Sequence, residues 1–87
     1  MVESCRKGRM PVVLRVKGYR FWFYEADLDE PPHVHVIQAE NVAKVWLQPV
    51  ELEYNRGYNR AEMNRILRLT QENQQRLLEA WNEHFDR

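Results

Sequence analysis

The sequence predicts an α+β domain, a small antiparallel meander of four or five strands packed on one face by a C-terminal helix. Three observations carry this. Between residues 12 and 47 apolar side chains recur at every second position, the period of a half-buried strand. Short turns separate these runs, so strands that follow one another in sequence pair antiparallel. From Arg60 onward the period lengthens to that of a helix.

Residues 1–9 mix Arg, Lys, Glu and Gly without apolar periodicity and read as a disordered lead-in to a domain over residues 10–87. Val12-Val13-Leu14-Arg15-Val16, then Lys17-Gly18, then Tyr19-Arg20-Phe21-Trp22-Phe23-Tyr24 reads as a hairpin with a two-residue turn. In that register Val16 faces Tyr19, Arg15 faces Arg20, Leu14 faces Phe21 and Val13 faces Trp22. Val12, Leu14, Val16, Tyr19, Phe21 and Phe23 share the core side. Val13, Arg15, Arg20, Trp22 and Tyr24 share the other.

An acidic loop over residues 25–32 ends in Pro31-Pro32, which stiffens the entry to His33-Val34-His35-Val36. Alternation sends both histidines to one face and both valines to the other. Ala39-Glu40-Asn41-Val42 reads as a loop, and Ala43-Lys44-Val45-Trp46-Leu47 as the next strand. Pairing across that loop places His35 opposite Trp46 and Ile37 opposite Lys44. Pro49 ends the strand because it lacks a ladder donor.

Val50, Leu52 and Tyr54 alternate, as in an edge strand or an extended cover, and Asn55-Arg56-Gly57 is a turn. Asn59 followed by Glu62 matches a capping box. Met63, Ile66, Leu67, Thr70, Leu77, Leu78, Trp81 and Phe85 fall near one helical stripe. One long helix is the first reading, and a break between Thr70 and Asn73 is the alternative.

The 87 residues carry 13 Lys and Arg against 13 Asp and Glu, a balance that argues against a generic polyanion binder but leaves room for a local basic patch. A lone cysteine, Cys5, forms no internal disulfide and anchors no zinc cluster, which suits a reducing cytoplasm. No apolar run reaches the ~18 residues of a membrane span, and no signal-peptide pattern is present. Gly-rich phosphate loops and Ser-His-Asp or Cys-His arrangements are missing as well.

Taken together, Met-Pro opening a hairpin, Gly-Tyr-Arg-Phe-Trp-Phe-Tyr, Pro-Pro-His-Val-His-Val, Ala-Lys-Val-Trp-Leu and the closing Glu-Ala-Trp-Asn-Glu-His-Phe resemble the bacterial domain-of-unknown-function family 4160. The resemblance spans Met10 to Phe85. It implies a toxin–antitoxin module with a small partner of domain-of-unknown-function family 2442, and its motif maps onto His33 and His35.

The candidate site is the face gathering Arg15, Arg20, Trp22, Tyr24, His33, His35, Lys44 and Trp46. Cations and imidazoles among aromatic platforms suit phosphate oxygens and stacked bases, as on RNA. His33 and His35 can serve as general base and acid, with Arg15, Arg20 or Lys44 steadying phosphate charge. Two other readings stand beside this: a partner-protein interface, and buried histidines acting as packing. A His-x-His metal site with Asp27, Asp29 or Glu30 is a weaker signal, and the expectation is of no metal and no cofactor. A homodimer is also compatible with the sequence.

Overall fold

A computed structural model describes residues 12–23 and 29–85. Five strands, β1 (Val12–Val16), β2 (Tyr19–Trp22), β3 (His33–Gln38), β4 (Asn41–Leu47) and β5 (Val50–Arg56), precede helices α1 (Arg60–Glu72) and α2 (Gln74–His84). The sheet runs β1-β2-β3-β4-β5, antiparallel throughout. Both helices pack on one side of it, and the expected α+β class holds with a fifth strand. The lead-in over residues 1–9 and residues 25–28 of the acidic loop lie outside the described residues.

The β1–β2 turn forms because Lys17 and Gly18 both take positive φ, 52° and 84°, the backbone that matches strand twist in a two-residue hairpin. Val16↔Tyr19, Arg15↔Arg20 and Leu14↔Phe21 pair as expected. An irregularity then pairs Val12, rather than Val13, with Trp22. The extra residue swaps the faces of the first two valines, so Val13 packs against the core.

β3 and β4 are joined by Ala39-Glu40 alone, with Ala39 at φ 55°. The longer loop is therefore corrected to a two-residue turn. It moves the pairing by two positions: His33 faces Trp46, His35 faces Lys44 and Ile37 faces Val42. A two-residue shift leaves every side chain on its face, so Val34, Val36, Val45 and Leu47 all lie fully buried in the core.

The expected single helix is broken at Asn73. Its backbone N–H is shared between the Leu69 and Thr70 carbonyls, at 3.1 and 3.2 Å, and its side-chain amide also donates to Leu69, at 2.8 Å, closing the end of α1. Asn59 and Glu62 form the anticipated capping box at the start of α1. Gln74 opens α2 and donates to the Leu47 carbonyl at 2.6 Å, tying the helix to the end of β4.

Tyr58 links the layers. Its hydroxyl donates to the Val36 carbonyl at 2.9 Å, and Asn55 clamps its backbone from both sides. Gly57, at φ 106°, is required here twice over, because a Cβ would lie 2.1 Å from the Asn41 side-chain oxygen. Burial, reinforced by Tyr19 and Glu62, pushes the Tyr58 hydroxyl up to about 12.

Two predictions follow from this packing. Trp81 stacks edge-on to Phe23, with centroids 5.1 Å apart, and Phe85 sits 4.3 Å from Trp81. Removing the indole in Trp81→Ala should cost ~3–5 kcal/mol in a denaturant melt, a large share of the stability of so small a domain.

The second concerns Tyr58. A folded-state value raised above the ordinary 10.0 means the unfolded chain loses its proton first. This contribution is whole below pH ~10 and is lost as pH rises towards ~12. Melts across that window should show a shallower decline in Tyr58→Phe than in the parent protein.

Candidate functional site

The histidines stand where alternation puts them, on the sheet face opposite Val34 and Val36. Trp22 faces His35 from β2, while Lys44 and Trp46 face His35 and His33 from β4. Both imidazoles are buried, His33 at 0% exposure and His35 at 5%. Their rings meet edge to face at 5.3 Å, and Trp46 closes on His33 at 5.4 Å. Trp81 of α2 also reaches His33, at 5.2 Å.

Pro31 fixes the His33 proton. Its carbonyl oxygen lies 2.9 Å from Nδ1. A carbonyl only accepts, so Nδ1 carries hydrogen, and the neutral form of the ring would keep its lone pair on Nε2. That tautomer suits a base or a metal ligand, but a buried ring offers a substrate no approach. Among the described residues, no group of three His, Cys, Asp or Glu side chains is arranged to hold a metal.

The rest of the face is more exposed. Arg15 and Arg20 are exposed and directly paired across strands. Trp22, Ile37, Lys44 and Trp46 are partly buried, while Tyr54, opposite Lys44, is 44% exposed. Tyr24 lies outside the described residues.

Two carboxylates also reach this face. Glu30 accepts from Lys44 Nζ at 2.7 Å and sits 3.7 Å from His33 Nδ1. Glu53 accepts from the Trp46 indole N–H at 2.9 Å. Lys44 lies 5.0 Å above the Trp46 ring, a cation–π distance. Glu30, Lys44, Trp46 and Glu53 therefore form one connected platform.

Glu53 and Tyr54 were missed because strict alternation cannot place them. β5 carries an extra residue opposite the Lys44–Val45 step, which brings Glu53 to Trp46. An irregularity of that kind has no glycine or proline to announce it.

Burial sets the expected cost of disturbing the pair. His35→Ala should lose ~2–3 kcal/mol in a denaturant melt, well beyond a surface substitution, because a buried polar setting and its packing both go. A loss below ~1 kcal/mol would instead mark the ring as exposed in solution.

Among the described residues, no helix is long and apolar enough to cross a membrane. No curated protein and no solved structure matches this chain. A family described as "Domain of unknown function (DUF4160)" matches residues 18–82, from the β1–β2 turn into α2. That is well over half the chain and includes the histidine strand with its neighbours on both sides. The chain belongs to the DUF4160 family.

Proposed function

We propose that this protein is a non-enzymatic binding module that docks a partner protein through the sheet face opposite Val34 and Val36. One observation carries the reading: the histidines at the centre of that face are buried, while Trp22, Lys44 and Trp46 around them are partly exposed and Arg15, Arg20 and Tyr54 are exposed. Arg15, Arg20, Trp22, Trp46 and Tyr54 belong to the three residue types most enriched at binding hot spots. Trp46 is held by Glu53 and Lys44, so little side-chain freedom is left to lose on binding.

Among the described residues, Arg15 and Arg20 have no ion-pair partner. Like charges directly opposite on neighbouring strands repel, and a carboxylate from a partner would relieve them. The partner is thus a protein with an acidic contact surface. In a toxin–antitoxin module it would be the small protein of domain-of-unknown-function family 2442.

A second reading rests on the same two arginines. A phosphate could bridge them, and the His33 tautomer, with its lone pair on Nε2, suits proton abstraction in RNA cleavage. This toxin-like reading requires the histidines to become accessible.

Co-expression with the family-2442 partner separates the two. Docking predicts a stable complex that Arg20→Ala weakens by about tenfold or more. Growth and RNA integrity should not respond to His33→Asn or His35→Gln in protein that stays folded. RNA cleavage that disappears in those folded variants, or salt-sensitive binding of a short single-stranded RNA without complex formation, would establish the second reading.

A further inference from the structure

We propose a second binding site, for a phosphomonoester of nucleotide size, in the groove between the β1–β2 turn and α1. The groove encloses about 300 Å³ and is lined by Lys17, Arg65, Arg68, Leu69 and Glu72. That volume is at the lower end of the range for small-molecule sites.

Its charge is what singles it out. Three cations and one carboxylate give a formal +2, and among the described residues none of these four groups has an ion-pair partner. Arg65 and Arg68 are three residues apart and share a helix face. Arg68 and Glu72 have the spacing for an intrahelical pair yet form none. A phosphomonoester carries about −1.5 to −2 near neutral pH, which balances this excess.

Each lining residue has a position consistent with that ligand. Lys17 is delivered by the tight turn, whose positive φ fixes where its side chain departs. Arg65 Nη1 donates to the Tyr19 hydroxyl at 3.4 Å, which steadies its guanidinium beside the turn. Arginine forks match phosphate oxygens in pairs. Leu69 is nearly buried and offers an apolar floor for a sugar or base. Glu72 only accepts, so the ligand should also carry a hydroxyl or amine donor.

A long polyanion fits less well. It needs a continuous cationic stripe, whereas charges over the whole chain balance at 13 and 13. The groove lies on the helix side, apart from the proposed docking face.

The test is calorimetric titration of the full chain with the four ribonucleoside 5′-monophosphates, adenosine, inorganic phosphate and a short single-stranded RNA. Saturable monophosphate binding is expected, lost for adenosine and weaker for inorganic phosphate. Arg68→Gln and Lys17→Gln should each reduce affinity by about tenfold with an unchanged melting curve, since both positions are exposed. Arg20→Ala, on the opposite face, should leave it unaltered. No saturable binding, equal binding by Arg68→Gln, inorganic phosphate binding as tightly as nucleotide, or binding of RNA alone would each overturn the site.

Discussion

β3 occupies the middle of the sheet, and its side chains alternate between two faces that are both closed to solvent. Val34 and Val36 meet the helices, which needs only apolar area. His33 and His35 meet aromatic rings on the other side, where a buried polar ring must be accommodated. The Pro31-Pro32 entry does this for His33. Neither proline can donate a backbone hydrogen, but both offer carbonyls. Pro31 accepts from His33, and Pro32 accepts from the Leu47 amide at 3.0 Å, adding a bond beyond the ladder at the end of β4. The two prolines set the tautomer of one histidine and extend the central pairing.

Much of this arrangement was legible because period-two patterning is insensitive to errors of two. The β3–β4 turn was invisible, since Ala39 takes a positive φ without the glycine or asparagine that usually marks one. The resulting shift changed the partners of His33 and His35 but not their company. Single-residue irregularities in β1 and β5 are a different matter, because each transfers a side chain to the other face. They moved Val13 to the core and brought Glu53 to Trp46. At the break, Asn73 closes α1 with both its backbone N–H and its side-chain amide on the Leu69 carbonyl, a local arrangement that hydrophobic spacing does not record.

The burial of the histidines was the least legible feature. Alternation states which face a side chain takes, but not what lies above that face. The covering groups come from β2, β4 and α2, and Trp81 is distant in sequence from both histidines. Its helical spacing identified it as a core anchor. Nothing in that spacing told that the same ring would touch both Phe23 and His33.

Zero net charge conceals a spatial division. Lys44 is engaged by Glu30 and rests over Trp46, so its charge is largely answered within the structure. Among the described residues, Arg15 and Arg20 have no such answer, nor has Lys17 between them in sequence. All three lie on the β1–β2 hairpin, at the edge of the sheet. The placement has a physical origin: β3 is buried on both faces at its histidines and valines and cannot carry unpaired charge there, whereas an edge hairpin can. Charges on an edge strand also discourage indiscriminate pairing with other chains. The same hairpin therefore supplies the arginines of one face and the lysine of the groove on the other. Recognition on both sides is concentrated where the fold least needs apolar area.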